Sequence, residues 1–308
     1  MRMMKIQEPT MTLTMLAEKF LMVKEAQHCS KNTLRDYQAH VRKFVESSRD
    51  SLEYDVLEQD VLRYFSAIPN TSPARYNIPF QNVNAFLNWL VDQDYLMKNP
   101  MTANKMRKRR DDGNIKPVEI EELRQFMDVI DRTNYCGLRD IAIILVMLDT
   151  GIRTSEILGL KNEDYCSADS SITIGKTLAK TRTRRVVYLS VSTARCLEEF
   201  VRCKPQEWES WLFPNYEGRQ LQVQHLDKTF AKYSRQAGIR ITPYQLRHSF
   251  ATLFVKNGGD LFSLQRMMGH ADLRMTKRYA EIDEEFVRSQ HAAYSPAGAL
   301  MKSRKRKL

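Results

Sequence analysis

Apolar side chains recur every three to four positions in several segments of the first hundred residues, which is the period of an amphipathic helix. The four clearest segments are 13–23, 34–45, 56–65 and 83–91. Ser30 and Asn32 can cap the second segment, the third ends at the proline-containing stretch 69–73, and the fourth stops before Asn99 and Pro100. Strict strand alternation is weak here, so the pattern predicts a helical first domain.

A basic run followed by a polar stretch interrupts this pattern. Residues 105–110 read Lys-Met-Arg-Lys-Arg-Arg, and residues 111–114 read Asp-Asp-Gly-Asn. Such a change is typical of a domain linker, here assigned to 106–115. The excess of cations indicates a linker that also contacts phosphates, with a solvated surface loop as the alternative. The predicted domains are therefore 1–105 and 116–308.

Beyond the linker the pattern predicts helices and one hairpin. Residues 141–148 form an apolar run typical of a buried helix, and 171–174 and 185–189 are strand candidates joined by a long charged loop. Helical patterns then continue to a basic tail at 302–307, and 283–290 is a further helix candidate. The predicted fold class is mainly α with a small antiparallel β-sheet.

Composition and charge narrow the class of protein. Among 308 residues, Lys and Arg total 48 and Asp and Glu total 37, which gives a formal net charge of +11. Hydrophobic residues make up 43%, enough to form buried cores and to exclude a disordered chain. A protein that holds a phosphate backbone needs such a charge, whereas an enzyme for a small neutral substrate does not. A merely basic surface is the alternative that charge alone leaves open.

Membrane and secreted classes are not expected. The longest apolar run is shorter than the roughly 20 residues of a membrane span, and the first residues lack the apolar core of a secretory signal. The five cysteines form no Cys-x-x-Cys pair. An odd number of thiols fits a reducing cytoplasm better than a disulfide framework or a zinc site. We therefore expect a cytoplasmic protein with no membrane partner.

Two short segments place a cation where an anion binds well. In Asp-Thr-Gly-Ile-Arg-Thr-Ser-Glu-Ile, a helix ends at the glycine and another begins with Thr154 or Ser155 as its cap. Arg153 then lies beside a helix N-terminus, with Glu156 near enough to orient it. Lys176, in Gly-Lys-Thr, lies in the hairpin loop. A P-loop would need Gly six residues before this lysine, where the chain has Ser, so we exclude ATP binding.

Two further segments combine basic groups with phenols. In Thr-Pro-Tyr-Gln-Leu-Arg-His-Ser-Phe-Ala-Thr, Thr-Pro begins a helix, and Tyr244 lies one turn before Arg247 and the following histidine, on one face. The last segment places Tyr279 nine residues after His270, which follows a glycine. Taken singly, each has an ordinary interpretation: a packing tyrosine or histidine, or a helix-turn-helix with an exposed tyrosine.

In this order and spacing, the four segments resemble the tyrosine recombinase family, which includes phage integrases, Xer recombinases and the recombinases of transposons and integrative elements. The resemblance covers nearly the whole chain. It implies a two-domain DNA clamp, with a helical core DNA-binding domain at 1–105 and a catalytic domain at 116–308 that carries the basic tail.

The resemblance also implies roles for individual residues. Arg153 and Arg247 would clamp the scissile phosphate, and His270 would assist them in the phosphate pocket. Lys176 would protonate the leaving 5′-oxygen, and Tyr279 would be the nucleophile. Two guanidinium forks match the charge that develops on phosphate oxygens, and they stay charged at any working pH.

One position departs from the family pattern. The family has a histidine three positions before the second arginine, where this chain has Tyr244. A tyrosine can hydrogen-bond a phosphate oxygen but does not shuttle protons near neutrality as histidine does. The alternative for Tyr244 is a packing role.

The chemistry implies that no cofactor is needed. A tyrosine phenol, with a pKa of about 10, becomes nucleophilic when a cationic pocket stabilises its phenolate. The covalent intermediate conserves the phosphodiester energy, so religation needs no ATP. The sequence shows no carboxylate cluster suited to metal-assisted cleavage. We therefore expect neither a cofactor nor a metal.

The expected function is site-specific recombination of double-stranded DNA, for integration, excision or resolution of a mobile element or replicon. The resemblance implies a homo-tetramer on two DNA sites, with the segment after Tyr279 packing on a neighbour and accessory proteins as further partners. Two alternatives remain. A type IB topoisomerase would use the same chemistry to relax supercoils, and a DNA-binding regulator would keep the scaffold without catalysis.

Overall fold

The computed structural model describes residues 11–110, 116–205, 207–208, 210–277, 279, 288, 291–293 and 295. The chain divides into two compact units, 1–113 and 114–308. Within the described residues, no helix is long and apolar enough to cross a membrane. The predicted helix at 283–290, apart from Arg288, and the basic tail lie outside the described residues.

The described part of the first unit is helical. Its helices are α1 (Leu13–Ala26), α2 (Lys31–Glu46), α3 (Tyr54–Ser66), α4 (Pro73–Asp92) and α5 (Pro100–Ala103). Their apolar faces share one core, in which Phe20, Phe44 and Phe86 are fully buried. The four helices that the apolar spacing predicts are confirmed.

Helix α4 begins earlier than its apolar stripe predicts. Its N-cap is Ser72, whose hydroxyl accepts a hydrogen bond from the N–H of Arg75, and Pro73 occupies the first helical position. Proline fits there because the first turn has no use for its missing N–H. Pro73, which lies in the stretch predicted to end the third helix, is therefore the first residue of α4.

Residues 106–110, the basic half of the predicted linker, lie along α4. The side-chain amide of Asn77 donates to the carbonyl of Arg109 at 2.9 Å and accepts from its N–H at 2.8 Å. The guanidinium of Arg109 stacks over the ring of Tyr76, and Lys108 donates to Gln81. These contacts join this half of the predicted linker to the first unit, whereas 111–115 lies outside the described residues.

The second unit contains helices and one small sheet. Its described helices are α6 (Ile120–Asp128), α7 (Tyr135–Thr150), α8 (Thr154–Ile157), α9 (Val191–Cys203), α10 (Val223–Ala237), α11 (Pro243–Lys256), α12 (Leu261–Met268) and α13 (Leu273–Lys277), with a 3-10 turn at Asn162–Asp164. The predicted apolar run lies in α7, and its buried side chains pack in the main core with Phe126, Phe200 and Phe230.

The sheet is antiparallel, in the order β1–β2–β3, with β1 at Tyr165–Cys166, β2 at Ser171–Ile174 and β3 at Arg185–Tyr188. Ile172 pairs with Val187 in the β2–β3 hairpin. The predicted hairpin is confirmed. Strand β1 was missed because two residues are too few to show an alternating pattern.

Candidate active site

The turn that carries Arg153 begins at a left-handed glycine. Gly151 ends α7 with φ of +61°, and the ring of Phe250 lies where a side chain at this position would point. Helix α8 follows directly, and its N-cap is Arg153, so the predicted cap at Thr154 or Ser155 is wrong. The reason is that the carboxylate of Glu156 accepts from the N–H of Arg153 at 3.1 Å, which fixes the helix start at Arg153.

Glu156 is a fully buried carboxylate between two guanidinium groups. Its Oε1 accepts from Nη1 of Arg153 at 3.0 Å and from Nη1 of Arg185 at 3.1 Å, and its Oε2 accepts from Nη2 of Arg185. Burial by itself would raise the pKa of Glu156, but the hydrogen bonds and charges of Arg185 and then Arg153 hold that pKa below its usual range. Glu156 is therefore an anion at neutral pH.

Arg247 meets Arg153 at a shared carbonyl. Its Nη1 donates to the carbonyl of Gly151, and its Nη2 donates to the carbonyl of Met268 at 2.9 Å. Arg153 donates to the same Met268 carbonyl at 3.1 Å and to that of Gly269 at 3.2 Å. Burial, followed by the charge of Arg153, lowers the pKa of Arg247 to about 10, so the group is still a cation at neutral pH.

The two guanidinium groups keep hydrogen-bonding capacity for a ligand. Each carries five N–H donors, and the hydrogen bonds among the described residues use three on Arg153 and three on Arg247. Two N–H donors are therefore left on each guanidinium to bind the oxygens of a phosphate. Arg153 and Arg185 both form their ion pairs with the same carboxylate, that of Glu156. Three guanidinium groups around one carboxylate leave a local excess of positive charge that favours an anion.

His270 follows the end of α12 and touches the same cluster. Its Nε2 lies 3.1 Å from Nη2 of Arg247, and its Nδ1 lies 2.9 Å from the hydroxyl of Thr276, which is fully buried. Arginine can only donate, so Nε2 of His270 is the acceptor. We therefore assign the proton to Nδ1, from which it is donated to Thr276, and the imidazole is neutral in this arrangement.

Tyr279 is half-buried beside two imidazole rings. Its ring meets His248 edge to face, with centroids 4.9 Å apart, and stacks on His270 at 6.5 Å. It also packs against the apolar cluster that contains Phe250 and Met268. The charge of its phenolate form raises the pKa of Arg247, which places the two groups within electrostatic reach.

Lys176 and Tyr244 lie apart from these contacts. Lys176 is exposed in the loop between β2 and β3, and Tyr244 is 51% exposed on the first turn of α11. The contacts of the described residues join neither side chain to Arg153 or Arg247. The structure thus brings together Arg153, Arg247, His270 and Tyr279, and places the other two candidates on the surface.

Sequence reasoning missed Arg185 and Thr276 as members of this cluster. A signal for Arg185 was available, because strand β3 alternates and Val187, two positions on, faces the core. Thr276 had no such signal, since its contact with His270 depends on the turn between α12 and α13. Among the described residues, no group of three or more His, Cys, Asp or Glu side chains is placed to hold a metal ion.

Comparisons with known proteins agree with this geometry. The sequence profile of the phage integrase family matches residues 116–285. The tyrosine recombinase XerD of Listeria innocua is 26% identical over 294 residues, which cover 90% of this chain and 96% of XerD.

Two solved structures share the fold. The Tn1549 transposon integrase, in complex with a circular intermediate DNA, superposes with a TM-score of 0.73 at 18% identity, covering 92% of this chain and 100% of that one. The lambda integrase tetramer bound to a Holliday junction gives 0.72 at 15% identity, covering 89% and 80%. The family profile spans more than half of the sequence and includes all six candidate residues. The chain therefore belongs to the phage integrase family of tyrosine recombinases.

Proposed function

We propose that this protein is a site-specific recombinase that cuts and rejoins double-stranded DNA through a 3′-phosphotyrosyl bond at Tyr279. The observation that carries this proposal is the convergence of Arg153, Arg247, His270 and Tyr279 around the turn at Gly269. Cleavage of a phosphodiester without a metal ion needs cations that stabilise the charge on the phosphate and a nucleophile that attacks phosphorus. The two guanidinium groups and the phenol supply these at one partly buried site.

In the proposed reaction, the guanidinium groups of Arg153 and Arg247 hold the non-bridging oxygens of the scissile phosphate. Their hydrogen bonds strengthen as negative charge develops in the transition state. The phenolate of Tyr279, favoured by the neighbouring cation of Arg247, attacks phosphorus. The 5′-oxygen leaves and takes its proton from Lys176, which reaches the DNA from its exposed loop.

Religation is the same reaction in reverse. The 5′-hydroxyl of the incoming strand returns its proton to Lys176 and attacks the phosphotyrosine, and Tyr279 leaves as the phenolate. Because each step exchanges one phosphoester bond for another, the sequence of steps is close to energy-neutral and needs no nucleotide.

For the remaining parts we propose that residues 1–105 bind DNA and that 116–308 form the catalytic domain. Exposed cations on α2, among them Lys31, Arg35 and Lys43, support the first assignment. We further propose a homo-tetramer on two DNA sites, supported by the lambda integrase structure, which is a tetramer bound to a Holliday junction. We also propose that the protein is cytoplasmic, that it acts on a mobile element or a replicon, and that accessory proteins take part. The relatives favour recombination over topoisomerase activity, and the assembled tyrosine site argues against a non-catalytic regulator.

The proposal is tested by trapping the protein on nicked suicide duplexes. A nick near the cleavage site lets a short fragment diffuse away after cleavage, so the covalent adduct accumulates. With a random-sequence library, denaturation followed by sequencing of the retained strands should recover one preferred site. Retention without sequence preference would instead indicate a topoisomerase, and no retention would indicate a regulator.

Cleavage is expected to proceed in EDTA and without ATP. The reason is that the proposed reaction draws its charge stabilisation from guanidinium groups and its energy from the phosphodiester itself. Adduct yield on a trapped duplex, compared with and without EDTA and with and without MgATP, checks this. A strict requirement for magnesium would contradict the mechanism.

Tyr244→Phe is expected to slow cleavage about tenfold, the loss of one hydrogen bond of about 1.4 kcal/mol to the phosphate. Tyr244→His should be tolerated and should add a pH dependence between about pH 5.5 and 7.5, where histidine titrates. The half-exposed ring argues against the packing alternative, which predicts an active Phe variant and a destabilised His variant. Cleavage rates and melting temperatures of both variants distinguish the phosphate-binding role of Tyr244 from the packing role. Tyr216→Phe is the control, because Tyr216 is an exposed tyrosine elsewhere in the second unit.

A further inference from the structure

Arg185 is a buried cation to which the proposed reaction assigns no role. It begins strand β3, and only 6% of the residue is exposed. Arginine is rarely buried without partners, and this one has three hydrogen bonds among the described residues. Two go to Glu156, and the third runs from its Nε to the carbonyl of Met267 at 2.8 Å.

The partners of Arg185 are also the supports of the two clamp arginines. Glu156 holds Nη1 of Arg153 at 3.0 Å. The carbonyl of Met267 immediately precedes that of Met268, which accepts from both Arg153 and Arg247. A single side chain on β3 thus connects the start of α8 with the end of α12.

The turn at Gly269 packs directly on this arginine. Gly269 has φ of +60°, and a side chain there would lie 3.0 Å from Nη1 of Arg185. The carbonyl of Gly269 accepts from Arg153, and His270 follows it in the chain. The guanidinium of Arg185 therefore fills the space behind the turn that presents the shared carbonyls.

We propose that Arg185 is a positioning residue for DNA cleavage, which fixes Glu156 and the 267–269 turn and thereby holds Arg153 and Arg247 in phosphate-binding geometry. This role rests on the proposed function.

Its loss should change the protonation of Glu156. The charged groups that face this carboxylate are Arg153 on its own turn, Arg185 on β3 and Arg247 on α11. Arg185 contributes the strongest interactions that lower the pKa of Glu156 against the opposing effect of burial. Without Arg185 the carboxylate stays buried and loses two hydrogen bonds, so its pKa rises. As the pH falls, Glu156 then takes up a proton at a higher pH than in the wild type and releases Arg153.

The test is single-turnover cleavage of a bound suicide duplex between about pH 5.5 and 8.5. For Arg185→Gln we expect cleavage at least about tenfold slower at neutral pH, a steeper loss towards acid than in the wild type, and DNA affinity within about threefold of wild type. Arg185→Lys should keep the wild-type pH profile, since it keeps the charge, but should be slower because one ammonium cannot replace the fork. Arg124→Gln is the matched control, because it removes an arginine from an exposed ion pair with Glu121.

An Arg185→Gln variant with the wild-type rate and the wild-type pH profile would overturn the proposal. If that variant does not fold, Arg185→Lys decides instead, and a wild-type rate for it has the same consequence. A slower reaction whose pH profile is unchanged in Arg185→Gln would reduce Arg185 to a structural role and also overturn it.

A thermal cycle tests the coupling without DNA. We expect Glu156→Gln added to Arg185→Gln to raise the melting temperature above that of Arg185→Gln at about pH 8, because it removes a fully buried charge that has lost one of its two guanidinium partners. If the two substitutions instead lower the melting temperature by independent, additive amounts, the coupling between Arg185 and Glu156 is contradicted. If the wild type forms no adduct on any duplex, the proposed function fails and the Arg185 role falls with it. Wild-type adducts together with an unaffected Arg185→Gln overturn the Arg185 role alone.

Discussion

Tyr279→Phe is expected to abolish covalent protein–DNA adducts while leaving DNA affinity nearly unchanged. The substitution removes only the phenolic oxygen, which is the atom that would bond to phosphorus. The phenylalanine ring keeps the edge-to-face contact with His248 and the packing against the apolar cluster that contains Phe250 and Met268. The cations that bind the phosphate backbone are not altered, so binding persists.

A denaturing gel of protein trapped on a suicide duplex measures the adduct, and a filter or mobility assay measures binding. Tyr244→Phe is the informative companion, because it removes a phenol one turn from Arg247 and should slow adduct formation without abolishing it. Undiminished adducts with Tyr279→Phe would rule out Tyr279 as the nucleophile.

Arg153→Ala and Arg247→Ala are each expected to slow cleavage by about 10²-fold or more, which corresponds to about 2.7 kcal/mol of transition-state stabilisation. Each removes a guanidinium from the carbonyl of Met268 and from the phosphate that we place beside it. Lysine at either position should rescue poorly, because a single ammonium cannot make two parallel hydrogen bonds. DNA affinity should change little, since many other cations share the phosphate contacts.

Single-turnover cleavage at saturating protein isolates this effect from binding. Arg195→Ala removes an exposed arginine from α9 and serves as the control for lost charge. Melting temperatures should accompany the rates, because Arg247 is buried and supports the carbonyls of Gly151 and Met268. Cleavage within about tenfold of wild type for either alanine variant would remove that arginine from the clamp.

Periodicity predicted the four long helices of the first unit and the β2–β3 hairpin, and its errors have local causes. The apolar stripe at 83–91 predicted α4, but its first turns contain Pro73 and Pro79, which mask the helical pattern. The hairpin was predicted from two apolar runs with turn signals between them. Strand β1 was not, because it is held by pairing with β2 and has no pattern of its own.

The candidate site also has a part that could be predicted from the sequence and a part that could not. The family resemblance predicts Arg153, Arg247, His270 and Tyr279 as site residues, and these four side chains lie close together in the structure. Contacts between distant segments could not be predicted, so the bond from Arg185 to Glu156, 29 residues away in sequence, was missed. The roles of Lys176 and Tyr244 stay predictions, because both side chains are exposed and their proposed partner is the DNA.

Mass spectrometry can identify the amino acid that becomes joined to DNA. Protein trapped on a suicide duplex is digested with a protease and a nuclease, and the peptide that carries a residual nucleotide is sequenced by mass spectrometry. We expect a 3′-phosphonucleotide on Tyr279, together with a free 5′-hydroxyl on the released strand. Linkage to any other residue, or a 5′-phosphate on the released strand, would contradict it.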